Sequence, residues 1–377
     1  MKKINVAFCL RDMQMGGVES VLVRTLDELI KQKNINISVI TFVNIHEETY
    51  KKYFEKHPQI RLYSLYPCSW LGTKLPHFFL WRLFVHLMRD IYRGAKRFFV
   101  MHKFKNIDVF IDYHDFGFAS ELKRIKRAKK IAWFHSSLNV FLKRKFTNKL
   151  KNYEKVVVLT DECAKELKQL CPQYSDKFIR VYNPINIKDI QKKSKEKPKI
   201  KGEYFCSVSR LSVDKDVKTL LSGFDLFWQS NNKPSVKLVI VGDGDKAAEY
   251  KKYATGLSAS KQIMFVGMQK NPFVYMKNSL ANVLSSYGEG FALVLVESAI
   301  VGTLNIASGC KYGPREILLN GRGGLLYEPG NAEQLAKCMT DVYNKKVDTK
   351  KLIQESTKAL YRFDSKTVIR EIISLIS

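Results

Sequence analysis

Ser285-Ser286-Tyr287-Gly288-Glu289-Gly290-Phe291-Ala292-Leu293-Val294-Leu295-Val296-Glu297-Ser298-Ala299 reads as the end of a strand, a glycine-bearing loop and the start of an apolar helix. The helix is expected to open at Phe291 or Ala292. Its first N–H groups have no partner inside the helix, and together with the positive dipole end they form a natural seat for a diphosphate. Glu289 lies in the loop, where it can accept hydrogen bonds from sugar hydroxyls. Glu297 lies about one and a half turns inside the helix and can reach a ribose if its face turns towards the ligand. The same letters also describe an ordinary strand–helix unit with one capping and one solvent-facing glutamate, so the stretch has to be weighed with the rest of the chain.

Short runs rich in β-branched residues recur on both sides of it. In the first half they are Ile4–Leu10, Ile37–Phe42, Asp108–Tyr113, Ile131–Phe134, Val156–Leu159 and Ile179–Tyr182. The second half adds Tyr204–Val208, Val236–Val241, Ile263–Val266, Asn282–Ser285 and Leu304–Ala307. They alternate little between polar and apolar, as expected of strands covered on both faces of a parallel sheet. Between the first two, Val18, Val21, Leu22, Leu26, Leu29 and Ile30 recur at helical spacing. Strand and helix in alternation predict an α/β fold with two doubly wound, Rossmann-like domains. At 377 residues the chain is long for a single core and suits two. The boundaries read as residues 1–182 for the N-terminal domain, 183–202 for a lysine-rich linker and 203–350 for the C-terminal domain. A C-terminal helix over 351–377, with Val368, Ile369, Ile372, Ile373 and Ile376 on one face, is placed to cross back to the N-terminal domain. In open α/β sheets the loops at the carboxyl ends of strands carry the ligand, so chemistry is expected there and in a cleft between the domains.

Composition narrows the classes. The seven cysteines are scattered, with no CxxC pair, which suits reduced thiols rather than a disulfide framework or a zinc site. The opening Met-Lys-Lys-Ile-Asn-Val-Ala-Phe-Cys-Leu ends at Arg11-Asp12 with no small-residue cleavage site, so it reads as a first strand rather than a signal peptide. No apolar run is long enough to predict a membrane-spanning helix. The net charge of +28 implies a polyanionic partner, whether nucleic acid, an anionic membrane or a phosphate-bearing substrate. Residues 74–105 and 123–155 concentrate that charge and interleave it with aromatics such as Phe78, Phe79, Trp81, Phe84, Tyr92, Phe98 and Phe99. Trp81, Arg82, Arg89, Arg93, Lys96 and Arg97 are therefore the expected membrane or acceptor surface.

The two glutamates of the opening stretch, spaced E-x7-E, resemble the signature of family-4 retaining glycosyltransferases with the GT-B fold. Other elements match in order. Arg210 and Lys215 in Ser209-Arg210-Leu211-Ser212-Val213-Asp214-Lys215 resemble the family's GRL-x3-K element. Val239-Ile240-Val241-Gly242-Asp243-Gly244 is similar to its strand and GDG turn, and Phe265-Val266-Gly267 to its FxG loop. Gly313-Pro314-Arg315-Glu316-Ile317-Leu318 with Gly321 and Gly324-Leu325-Leu326 resembles its G-x2-E…G-x2-G-L-L run. The matches cover about residues 204–335. Three departures stand out. Ser209 replaces a glycine, Asp216 stands where glycine is usual, and Gly302-Thr303-Leu304-Asn305 lacks the usual proline.

The resemblance implies a nucleotide-sugar donor, expected to be UDP-linked, held by the C-terminal domain. Arg210 and Lys215 would pair with its diphosphate, Glu289 would hold the transferred hexose or N-acetylhexosamine, and Glu297 the ribose. Val266 and Gly267 would meet the base, and Gly290, Phe291, Ala292 and Leu293 the phosphates and sugar. In the first half, Met15-Gly16-Gly17-Val18-Glu19 resembles the family's GGxE loop, giving Gly16 and Gly17 a donor-side role. His135, ending a strand in Trp133-Phe134-His135-Ser136-Ser137, resembles a histidine facing the donor sugar. No metal and no cofactor are expected. Transfer would proceed with retention, the leaving phosphate oxygen taking the acceptor proton as the domains close. The implied acceptor is a lipid-linked glycan or a lipopolysaccharide-type core, at the cytoplasmic face of a bacterial inner membrane. An epimerase or phosphorylase sharing the GT-B architecture is the alternative within the fold, and a basic nucleic-acid-binding protein the alternative outside it.

Overall fold

A computed structural model of the chain describes residues 3–14, 16–66, 79–196, 198 and 200–377, without the side chains of 79–86, 89, 90 and 123. It divides into two compact units. The first comprises Met1–Val158, Ala164–Pro184 and Val368–Ser377, and the second Leu159–Cys163 and Ile185–Thr367.

In chain order the elements that build the first unit are β1 (Ile4–Leu10), α1 (Gly17–Leu29), β2 (Ile35–Val43), α2 (Glu48–Lys56), β3 (Arg61–Tyr66), α3 (Phe79–Lys103), β4 (Val109–Asp112), β5 (Lys129–Trp133), α4 (Leu138–Lys143), β6 (Lys155–Val158), α5 (Asp161–Leu170) and β7 (Phe178–Arg180). All pairings are parallel, in the order β3-β2-β1-β4-β5-β6-β7. The direction of winding reverses between β1 and β4, where Cys9 lies beside Asp112. Val6 to Leu10 of β1 are wholly buried, because helices cover both faces of the sheet. Val21, Leu22, Leu26 and Leu29 of α1 supply one cover at helical spacing.

The second unit follows with α6 (Ile187–Lys193), β8 (Tyr204–Val208), α7 (Val217–Ser230), β9 (Lys237–Val241), α8 (Ala247–Thr255), β10 (Ile263–Gly267), α9 (Phe273–Lys277), β11 (Asn282–Leu284), α10 (Leu293–Ile300), β12 (Asn305–Ser308), α11 (Pro314–Ile317), β13 (Leu325–Tyr327), α12 (Ala332–Tyr343), α13 (Thr349–Lys358) and α14 (Ser365–Ile376). Its parallel sheet runs β10-β9-β8-β11-β12-β13 and reverses between β8 and β11. The two-residue period of a strand sorts its side chains cleanly. Phe205, Leu238 and Ile240 join a core with Leu220, Phe224, Phe227, Leu335 and Met339, whereas Tyr204, Cys206, Val239 and Val241 form a smaller cluster on the other face.

The elements depart from the expectation in four places. Two strands were not foreseen, β3 and β13, and both lie at sheet edges, where half-burial weakens the apolar signal. The lysine-rich stretch is not a plain linker, because Asn186 caps Asp189 N–H at 3.0 Å and opens α6, with Ile190 buried. Residues 351–377 are not one helix. They comprise most of α13, a 3-10 turn over Ala359–Phe363 and α14, which begins in the second unit and continues into the first from Val368. Val368, Ile372 and Ile376 are buried, and Glu371 pairs with Arg180 at 3.0 Å. Finally, α10 opens at Leu293, after the expected Phe291 or Ala292, because Ala292 adopts a left-handed conformation with φ 63°.

Candidate functional site

In the second unit the loops after β8 and β11 meet at the point where the winding reverses. Lys215 Nζ lies 2.8 Å from Glu289 Oε1 and 3.6 Å from Asp214 Oδ2. The side chains of Lys215 and Glu289 are only 20% and 10% exposed, so the pair is largely withdrawn from water. Burial alone lowers an ammonium pKa, but the Glu289 carboxylate more than offsets it and holds Lys215 above its ordinary value. Ser286 Oγ donates to the same Glu289 oxygen at 2.6 Å, and Ser285 Oγ donates to the Lys215 carbonyl at 2.8 Å. Backbone bonds tie the loops further: Tyr287 N–H to the Asp214 carbonyl at 3.0 Å, and Glu289 N–H to the Lys311 carbonyl at 3.1 Å. Gly313, at φ 96°, lets the 309–313 loop pass so close to Phe291 that a Cβ would stand 2.4 Å from the Phe291 carbonyl oxygen. Phe291 itself is buried edge-on to Phe363, with ring centroids 5.5 Å apart.

Arg210 lies two residues past the end of β8; its side chain is exposed and joins no ion pair among the described residues. Its loop is fixed from beneath by the glycine turn after β9. Gly242 has φ 141° and sits against Ser209, where a Cβ would fall 1.9 Å from the Ser209 carbonyl oxygen. Leu211 N–H donates to Asp243 O at 3.0 Å. Glu297 is half-buried on α10, and Val266 and Gly267 end β10. The departures in sequence have local reasons. Asp216 takes the left-handed conformation, φ 44°, that glycine would otherwise supply, and accepts from Thr219 N–H at 3.3 Å to cap α7. Thr303, in the absence of proline, donates to the Met276 carbonyl at 2.9 Å. Ser286 and Asp214 were not singled out from sequence, because hydroxyls and single acids beside a glycine loop carry no signal of their own.

In the first unit, His135 follows β5. Its ring packs 4.7 Å from Tyr113, and its Nε2 is buried without a hydrogen-bond partner. Burial pushes the imidazole down to about 4, opposed by Asp115 and aided by His114, so the ring is neutral at pH 7. Asp115, left-handed at φ 49°, accepts from the His135 N–H at 2.7 Å and from the Ser136 hydroxyl, which makes it the residue that sets this turn. Sequence gave no sign of it. Gly16 caps α1, whose first residue is Gly17; an added Cβ at Gly16 would stand 2.5 Å from Glu19 Oε2.

The structure describes the side chains of only part of the expected acceptor surface. Those of Trp81, Arg82 and Arg89 lie outside the described residues. Arg97 turns into its own unit, pairing with Glu121 at 2.7 Å, so its charge is satisfied there rather than at a surface. Arg93 lies over the Tyr66 ring at 5.7 Å. The opposite side of α3 is apolar and exposed: Leu87, Met88, Ile91, Tyr92, Phe98 and Phe99 recur at helical spacing, Phe99 being 68% exposed. Among the described residues no helix is long and apolar enough to cross a membrane, and no cluster of His, Cys, Asp or Glu could hold a metal ion.

Two parallel-sheet α/β units of this kind define the GT-B glycosyltransferase fold. The Anabaena protein HepE, crystallised with UDP, superposes with a TM-score of 0.76 over 99% of both chains at 17% identity, which establishes the fold. Residues 188–359, within the second unit, match the family model of glycosyl transferases group 1. Over 158 residues the chain is 31% identical to the lipopolysaccharide 1,6-galactosyltransferase of Salmonella typhimurium, covering 40% of this chain and 42% of that protein. Over 155 residues it is 28% identical to the N-acetylgalactosamine-N,N'-diacetylbacillosaminyl-diphospho-undecaprenol 4-alpha-N-acetylgalactosaminyltransferase of Campylobacter jejuni, covering 41% of each. The matched stretches thus span less than half the length of these two relatives.

Proposed function

We propose that the chain is a glycosyltransferase that moves a hexose or N-acetylhexosamine from a UDP-linked donor to a lipid-linked glycan or lipopolysaccharide-type acceptor. The observation that carries the proposal is the largely buried Lys215–Glu289 pair at the winding reversal of the second unit, beside the helix start at Leu293. Lys215 and Arg210 neutralise the donor diphosphate, and the free N–H groups of α10 add to them. Glu289 accepts from hydroxyls of the sugar, Glu297 from the ribose, and the end of β10 meets the base. The acceptor oxygen bonds to the anomeric carbon as the bond to the phosphate oxygen breaks. The acceptor proton passes to that same leaving oxygen, which delivers both on one face and retains the configuration. These residues position the groups and stabilise charge, and the scheme assigns no step to a metal. His135, neutral and buried, is the residue of the first unit assigned to the sugar.

A thermal-shift panel of UDP-, GDP- and ADP-sugars tests the donor. UDP-sugars should raise the melting temperature of the wild type and raise it markedly less for Glu289→Ala; no shift with any nucleotide sugar would defeat the reading. The exposed apolar side of α3 in a basic chain supports a peripheral seat on anionic lipid. Sedimentation with phosphatidylglycerol vesicles at low salt should retain the protein, and Phe98→Ser with Phe99→Ser should release most of it; no vesicle binding by the wild type would remove the membrane from the scheme.

A further inference from the structure

Two donors converge on the same atom of Glu289. Lys215 Nζ lies 2.8 Å from its Oε1, and Ser286 Oγ donates to that oxygen at 2.6 Å. Oε2 accepts from no donor among the described residues. The proposed function uses the carboxylate as a whole and gives its two oxygens no separate parts.

The two donors are not equivalent. An ammonium is a rotatable point charge on a flexible stem, so Lys215 can follow either carboxylate oxygen. A serine hydroxyl reaches only as far as its own Cβ allows, and Ser286 is wholly buried, two residues past the end of β11. Its main chain is fixed as well, because Ser308 Oγ, at the end of β12, donates to the Ser286 carbonyl at 2.6 Å. The Glu289 backbone is held on both sides by the 309–313 loop. Its N–H donates to the Lys311 carbonyl at 3.1 Å, and its carbonyl accepts from Tyr312 N–H at 3.2 Å. With both peptides pinned, the Ser286 hydroxyl settles which carboxylate oxygen turns inward. Support of this kind from neighbouring groups keeps a binding atom in one place before the ligand arrives.

We propose that Ser286 is a positioning residue that commits Glu289 Oε1 to the protein and leaves Oε2 alone to read the donor sugar. The inference rests on the transferase reading for its ligand, and narrows the hydroxyls that Glu289 accepts to the one that reaches Oε2. A carboxylate that offers both oxygens grips two neighbouring hydroxyls, and loss of either costs about the same. One that offers a single oxygen concentrates discrimination at one ring position, where a missing hydroxyl leaves that oxygen unpaired.

The test uses calorimetry on the full chain with UDP, the UDP-sugar that gives the largest thermal shift, and the monodeoxy analogues of that sugar. Wild type should lose about tenfold or more in affinity when one particular hydroxyl is removed, and about threefold or less for each of the others. Ser286→Ala should cut the large penalty to about threefold while UDP affinity stays constant. Ser286→Cys, similar in size and only a weak donor, should fall between the two. In Glu289→Ala the large penalty should be gone, and adding Ser286→Ala should change nothing further. Urea midpoints check that each variant is folded. A wild type in which no single hydroxyl dominates would overturn the proposal, as would a folded Ser286→Ala and Ser286→Cys that keep the wild-type pattern. Equal weakening of UDP and UDP-sugar by Ser286→Ala would also overturn it, since that is what a merely structural serine predicts. Failure of the wild type to bind UDP or any UDP-sugar would strike the transferase reading instead.

Discussion

Glu289→Gln removes one charge from the Lys215 pair while keeping the shape of the side chain and an acceptor for Ser286. At 2.8 Å and an effective dielectric constant near 20, the attraction removed is about 6 kcal/mol before desolvation is counted. Most of that is already offset by the cost of withdrawing both ions from water. Asp214, at 3.6 Å and better solvated, keeps part of the compensation for Lys215. The expected net loss is about 2 kcal/mol, which for a unit of this size corresponds to about 4–8 °C in melting temperature. The pH dependence has a definite sign. Lys215 is held above its ordinary value, so the stability it draws from Glu289 is full below about pH 10.4 and disappears as pH rises through the raised folded value; the gap between the proteins should close there. Function separates in the opposite sense. Unpaired, Lys215 should bind UDP at least as tightly as before, while sugar transfer falls about 100-fold or more because the sugar has lost its carboxylate. Calorimetry with UDP, scanning calorimetry from pH 7 to 11 and a radiolabelled transfer assay measure the three quantities. Unchanged stability, or UDP affinity lost in step with transfer, would refute this account of the pair.

Gly242→Ala places a methyl group within the Ser209 carbonyl at φ 141° and should cost about 3 kcal/mol or more, with UDP affinity falling as the Arg210 loop moves; urea unfolding and UDP calorimetry would both have to be unaffected for the close approach to be irrelevant. Burial pushes the Asp112 carboxyl up to about 7, against the hydrogen bond from Tyr153 and two backbone N–H groups. Folded protein then binds more protons than unfolded between about pH 4 and 7, so this group removes stability as pH rises. The advantage of Asp112→Asn over wild type should grow across that range by up to about 4 kcal/mol, and parallel stability–pH curves would contradict it. His135 shifts the other way. Its imidazole is fully neutral and harmless above about pH 6.5, and stability is lost as pH falls from there through about 4, so His135→Gln should flatten that limb in acid unfolding. Identical acid limbs would show that the ring is not buried as described.

The central strands of both sheets were legible in the letters because burial on two faces selects the same β-branched residues throughout. β3 and β13 were not, since an edge strand such as Arg61-Leu62-Tyr63-Ser64-Leu65-Tyr66 mixes exposed and buried positions. Asn186 hid a helix inside the lysine-rich stretch, where a single cap decided what charge seemed to forbid. At the site, the family resemblance singled out Lys215 and Glu289, which the fold then brings into contact. Ser286 and Asp115 needed coordinates, because their contacts are set by which loops meet rather than by their own neighbours in sequence. The left-handed Ala292 belongs with them, as nothing in an alanine announces a conformation that glycine or asparagine would normally supply.

Neither unit is one continuous length of chain. The first joins Met1–Val158 and Ala164–Pro184 to Val368–Ser377, with Val368, Ile372 and Ile376 buried and Glu371 bound to Arg180 at the end of β7. The sheet of the first unit therefore cannot close its last hydrophobic surface until the turns of α14 from Val368 onward are in place. A stop codon placed after residue 367 would spare every candidate ligand contact named above, yet leave the first unit without that cover and exposed to proteolysis.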